Sequence, residues 1–261
     1  MRAAYARLLD GLGMARTRSK VTPLWLDGGR EVIRPEDLRV ELGVEDAVMC
    51  FTEGFFPEIV KAAGMTRARN LPEMGGAIEG KVGPRAAVIR SEVGAPAAGM
   101  IAEVLFASGV KRLVMVGLAG SMSPSCPIGS IVIPTWGIRE EGTSYHYLEP
   151  DEVPTPSDAL VDTLDRQLKS FRPRKGGIWT IDAPYRETWS KVKAYTKRGA
   201  VAVDMETTAL MSIAMFRHAE FAAALVISDE LHEGVWKQGF QSPELARTRS
   251  RLCALVGKMY R

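Results

Sequence analysis

The sequence predicts an α/β fold, read as a single domain over residues 1–261, with a sheet covered on both faces. Three observations predict it. From about residue 86, short apolar runs rich in β-branched residues recur along the chain. Stretches with helical spacing separate those runs. No internal repeat, low-complexity tract or linker divides them. Continuous apolar strands alternating with helices need cover on both sides of the sheet.

The elements follow in order. Ala86–Ile89 reads as a strand, and Ala95–Ser108 as a helix, with Ile101, Val104 and Leu105 at helical spacing. Arg112–Val116 is an apolar strand, after which Gly117 and Gly120 break the run. Ser130–Pro134 and Gly177–Ile181 are further strands. Between them, Pro134 to Asp151 is long and irregular, with the hydroxyl and aromatic side chains of Thr143-Ser144-Tyr145-His146-Tyr147. Such a loop is more often functional than idle. Val201–Met205 is a strand leading into a helix that carries Leu210, Ile213 and Ala214. Ala222–Ser228 is a buried strand bounded by Asp229-Glu230. The last helix opens at Ser242-Pro243, an N-cap followed by proline at the first helical position. Residues 1–45 give the least information. Met1–Lys20 is rich in arginine, but Leu8, Leu9 and Leu12 are too sparse for a signal peptide and Asp10 interrupts them, so a helical arm is expected.

Composition excludes several classes. The 34 basic and 31 acidic residues leave a net charge of +3, with no basic run, so no nucleic-acid partner is expected. No apolar run approaches the roughly 20 residues that span a bilayer, and a soluble, cytoplasmic protein is expected. Cys50, Cys126 and Cys253 are scattered, without CxxC pairs or histidines at metal-ligand spacing. They read as free thiols, and neither a metal nor a cofactor is expected.

Three places near the C-terminal ends of strands could carry chemistry, since open α/β sheets bind ligands there. Gly117-Leu118-Ala119-Gly120-Ser121 is either a plain tight turn or a place where backbone N–H groups approach a ligand. Asp204-Met205-Glu206 puts two carboxylates at a strand-to-helix junction, where they could accept hydrogen bonds from a vicinal diol. Alternatively, Glu206 merely favours the helix N-terminus. Asp229, ending a buried strand, could be a general acid or a cap.

In combination, "VGLAGS", "IGSIVIPTWGIREEGTSYHY", "DAPYRET", "AVDMETTAL" and "VISDEL" resemble the nucleoside phosphorylase family, over roughly residues 86 to 235. The resemblance implies a mixed, distorted, barrel-like central sheet flanked by helices, assembled as a homo-oligomer from dimer to hexamer. It implies cleavage of the N-glycosidic bond of a purine-type nucleoside by phosphorolysis, with phosphate as co-substrate. Hydrolysis and a non-catalytic nucleoside-binding role are the alternatives. By the same resemblance, Glu206 would hold the ribose hydroxyls, Met205 would pack beneath the sugar, and Asp204 would lie at the base or ribose end. Asp229, oriented by Ser228, would protonate or hydrogen-bond the leaving base. Asp182, Tyr185 and Gly120 would border the base, although Pro184 stands where relatives often stack a phenylalanine.

The sequence departs from the family at phosphate. The arginine and the serine or threonine that usually hold the anion correspond to Met115 and Leu118, and Met49–Gly54 offers no arginine-bearing phosphate loop. Arg139 and Arg186, with the backbone at Gly117, are the replacement candidates. Nucleosidases of the family also lack that arginine, whereas "EGTSYHY" and "DAPYRET" look closer to the phosphorylases. His146 is the best-placed histidine, for either a structural or a ligand-contacting role.

Overall fold

Ten strands form one continuous sheet in the computed structural model, which describes residues 26–72, 75–232 and 234–261. The arm expected over Met1–Lys20 lies outside the described residues. The strands are β1 (Asp46–Cys50), β2 (Arg69–Asn70), β3 (Ala77–Val82), β4 (Ala87–Ser91) and β5 (Arg112–Ser121), followed by β6 (Ile131–Glu140), β7 (Arg174–Ile181), β8 (Ala200–Asp204), β9 (Glu220–Glu230) and β10 (Lys237–Gln238). Their order is β10-β9-β6-β7-β8-β5-β1-β4-β3-β2. An additional β9–β5 pairing closes β5, β9, β6, β7 and β8 into a five-stranded barrel. The barrel is mixed: β5 runs parallel to β9, whereas β6 is antiparallel to β9 and β8 is antiparallel to β5. The mixed, barrel-like sheet implied by the family resemblance is therefore present.

Six helices flank the sheet among the described residues: α1 (Phe55–Ala62), α2 (Ala95–Ala107), α3 (Asp158–Gln167), α4 (Trp189–Lys197), α5 (Thr207–Phe216) and α6 (Pro243–Met259). Alternation along the strands explains why both faces need cover. Met49 and Met115 point into a cluster with Ile101 of α2 and Ile213 of α5. Their neighbours Val48 and Val114 point the other way, against Phe55 of α1, Leu164 of α3 and Leu252 of α6. A third cluster, around the fully buried Trp179, packs beneath α4. Ser242 caps α6 as expected, its hydroxyl oxygen accepting from Leu245 N–H at 3.1 Å. All three cysteines are buried free thiols.

Two sequence readings need correction. Gly117 and Gly120 do not end β5, which continues to Ser121 and pairs with both β9 and β8. Glycine serves close packing there. A Cβ on Gly120 would lie 2.4 Å from Leu231 Cδ1 and 3.1 Å from Val203 Cγ1. The irregular stretch is also shorter than Pro134–Asp151, because β6 runs through Glu140 and only the residues beyond it leave the sheet.

Candidate active site

A cavity of about 530 Å³ opens where β1, β4, β5, β8 and β9 end. Gly117–Gly120 of β5 forms part of its wall, Asp204 ends β8 with Met205 and Glu206 just past it, and Ser228 and Asp229 lie near the end of β9. Phe51 and Thr52 enter just past β1, and Val93 just past β4. The three places singled out in the sequence thus meet around one space.

The sharp turn from β8 into α5 sets the first carboxylates. Asp204 is turned inward, and its two oxygens are taken: Oδ1 accepts from Thr180 Oγ1 at 2.7 Å, and Oδ2 from Thr207 N at 2.9 Å and from the Thr207 hydroxyl. This ties down the first turn of α5 and leaves Asp204 a holding role beside the cavity. Glu206, 5% exposed, points across to the N-terminus of α2, where its Oε1 accepts from Gly94 N at 2.7 Å. Gly94 adopts φ 112°, a conformation that side-chain-bearing residues rarely reach, so glycine is what lets this N–H face the carboxylate. Burial, with the charge of Asp204 adding to it, pushes Glu206 up to about 8, against the lowering effect of the Gly94 N–H. Burial likewise pushes Asp204 up, opposed by its threonine donors. Two acids this close share their charge as a pair.

Asp229 has two donors. The Ser228 hydroxyl lies 2.6 Å from Oδ1, and the Trp236 indole Nε1–H donates to Oδ2 at 2.8 Å. Ser228 Oγ also lies 3.3 Å from the Ala119 carbonyl, which fixes it against β5. Glu187 lines the same cavity. Burial, and then repulsion by Asp229, raise it to about 7, with Lys191 pulling in the opposite direction. Sequence reading had passed over Glu187, although it lies two residues beyond Tyr185 in the "DAPYRET" stretch. It had also passed over Trp189, Trp236 and Phe240, which line the cavity with Pro184 and Tyr185. These rings give the cavity aromatic surface beside Pro184.

Several expected site residues lie elsewhere. Asp182 is exposed and borders a separate groove, with its Oδ2 accepting from Gly142 N at 2.8 Å. Thr143, His146 and Tyr147 also border that groove and not the cavity. Arg139 is consumed by the loop after β6. Its Nε donates to Ser144 Oγ at 2.9 Å, its Nη atoms donate to the carbonyls of Leu148, Glu149 and Glu152, and it stacks 4.2 Å from the Tyr145 ring centroid. Four of the five guanidinium donors are thus taken up by the loop, and Arg139 is not among the cavity-lining residues. Arg186 is exposed on a short 3-10 turn, Pro184–Arg186, and is not among the cavity-lining residues. Met115 and Leu118 do line the cavity, so the two positions at which the family resemblance implies anion ligands are apolar here.

A family model described as the phosphorylase superfamily matches residues 45–259. A purine nucleoside phosphorylase of the DeoD type from Caldanaerobacter subterraneus subsp. tengcongensis is 28% identical over 156 residues, 58% of this chain and 67% of that protein. Matched stretches cover 60 to 67% of the length of this and another similar curated relative. Among solved structures, purine nucleoside phosphorylase from Toxoplasma gondii in complex with immucillin-H superposes with a TM-score of 0.69 at 19% identity, covering 89% of this chain and 96% of that one. AMP nucleosidase from Bacteroides thetaiotaomicron superposes with a TM-score of 0.64 at 18% identity, covering 82% and 88%. At these identities the structural likenesses establish the fold.

Proposed function

This chain belongs to the phosphorylase superfamily, and from that premise we propose that it cleaves the N-glycosidic bond of a purine-type nucleoside. One observation carries the reading: Glu206 and Asp229 line the same cavity, Glu206 fixed by the N–H of Gly94, 112 residues away, and Asp229 by the indole N–H of Trp236. Breaking the bond from C1′ to the base nitrogen leaves the electron pair on the base and positive charge on the ribosyl ring, as in glycoside hydrolysis. Asp229 delivers a proton or hydrogen bond to the base as it leaves. Glu206 holds the 2′- and 3′-hydroxyls, and Met205 packs against the sugar. The aromatic rings and Glu187 border the base. A homo-oligomer between dimer and hexamer belongs to the same proposal.

Phosphorolysis, giving free base and ribose 1-phosphate, is the reading favoured by the relatives named purine nucleoside phosphorylase. A specific observation favours a second reading, hydrolysis: among the described residues neither arginine nor lysine lines the cavity, and Met115 and Leu118 stand in the anion positions implied by the family resemblance. Missing charge-assisted hydrogen bonds are worth about 1.5–3 kcal/mol each. Incubation with a panel of nucleosides, with and without phosphate, tests both readings. Base release that requires phosphate and yields ribose 1-phosphate establishes phosphorolysis. Release of free ribose regardless of phosphate establishes hydrolysis. No base release from any nucleoside under either condition would overturn the enzymatic reading.

A further inference from the structure

Trp236 reaches the candidate acid through one atom, the indole Nε1–H that donates to Asp229 Oδ2 at 2.8 Å. The position is set by backbone register. Trp236 immediately precedes β10, which pairs antiparallel with the end of β9, with Gln238 opposite Asp229 and Lys237 opposite Glu230. An ion pair of 3.2 Å from Lys237 Nζ to Glu230 Oε1 supports the pairing. The indole lines the cavity while 52% exposed, with Phe240 edge-on at 6.5 Å between ring centroids.

A tryptophan in so open a place is not explained by core packing, and its polar atom meets the carboxylate that faces the leaving base. The last torsion of an aspartate is soft, so the plane of its carboxyl group is set by whatever donors it meets. Here there are two, Ser228 on Oδ1 and Trp236 on Oδ2. An indole donates only, and carries no charge. It can therefore fix the carboxyl plane without forming an ion pair with it.

We propose that Trp236 is a positioning residue for the leaving base: its N–H sets the plane of the Asp229 carboxyl group while its ring borders the base. This rests on the reading of Asp229 as the acid. The test uses the full-length protein with the purine nucleoside of the panel that turns over fastest, and with 4-nitrophenyl β-D-ribofuranoside, whose leaving group needs no proton. Trp236→Phe removes the N–H and keeps a ring, and it is made alone and in the Asp229→Asn background. The nucleoside kcat is expected to fall about 10- to 100-fold, the worth of one hydrogen bond to a charged group, with little change in KM. The nitrophenyl riboside rate should hold, and Trp236→Phe should add nothing to Asp229→Asn, because coupled residues are not additive. Equal loss on both substrates, a full additional loss in the double variant, or no loss at all overturns the positioning role. If Asp229→Asn itself leaves nucleoside turnover intact, the acid reading fails instead, and the two failures are told apart by that single variant.

Discussion

Glu206 Oε1 accepts a hydrogen bond from the backbone N–H of Gly94 at 2.7 Å, joining the start of α5 to the N-terminus of α2. The positive end of the α2 dipole and one backbone donor thus support a carboxylate that burial otherwise penalises. The bond holds the side chain in place before any ligand arrives, and such preorganisation lowers the cost of binding.

Above about pH 8, where Glu206 is ionised, Glu206→Gln keeps an oxygen for Gly94 N–H but loses the charge and one acceptor toward a diol. Ribosides are expected to lose about 10- to 100-fold in kcat/KM, the scale of a charge-assisted hydrogen bond, and the matching 2′-deoxyribosides far less. Steady-state kinetics on the paired substrates checks it. Equal losses on both would remove Glu206 from the sugar.

The raised Glu206 also links stability to pH. In the unfolded chain a glutamate titrates near ~4.3, whereas burial and Asp204 put the folded group at about 8. The folded state therefore binds the proton more tightly. Stability from this group is complete below the unfolded value and is lost as pH rises through the folded one. Tm of the ligand-free protein should fall between about pH 5 and pH 8, and Glu206→Gln should flatten the slope. Glu187, raised to about 7, acts in the same direction over an overlapping window. The readout is accordingly the difference between wild type and variant. A difference that stays constant across the window would refute the perturbation.

Asp229→Asn should lower nucleoside turnover by about 10²- to 10⁴-fold, the share usually due to general acid catalysis. Hydrolysis or phosphorolysis of a nitrophenyl riboside should be spared. A uniform loss across leaving groups would point to a structural role for the carboxylate.

Arg139→Ala is expected to act on stability and not on phosphate. Its hydrogen bonds close the loop after β6 onto the Leu148, Glu149 and Glu152 carbonyls and Ser144 Oγ. Their loss should cost on the order of 2 kcal/mol, measured by denaturant unfolding. Arg139→Lys should not restore it, because one ammonium cannot reproduce the guanidinium fork. A selective rise in phosphate KM with unchanged stability would return Arg139 to the anion.

What lay in the local sequence was read from it. Strand-sized apolar runs after residue 86 and the helical spacing of Leu210 and Ile213 placed β4 to β9 and α5, because burial on both faces imposes those patterns directly. "AVDMETTAL" and "VISDEL" put Glu206 and Asp229 at strand ends, and β8 and β9 bring both to the cavity. The segment holding β1 and α1 was missed. β1 is only five residues long, and α1 opens at Gly54 with φ 94° and carries Pro57 in its first turn, which reads locally as a break.

The rest was decided by tertiary structure. A glycine pair looks like a turn until β8 and β9 close on β5 and leave no room for a side chain at Gly120. Arg139 looks available until the loop carbonyls surround it, and Asp182 looks like a base contact until it turns to Gly142. Gly94 meets Glu206 across 112 residues of chain, and Trp236 meets Asp229 through the β10 register. Sequence fixes which groups can donate, accept or carry charge. Which of them meet is set by closure of the barrel, since hydrogen bonds act over about 3 Å of space whatever the distance along the chain.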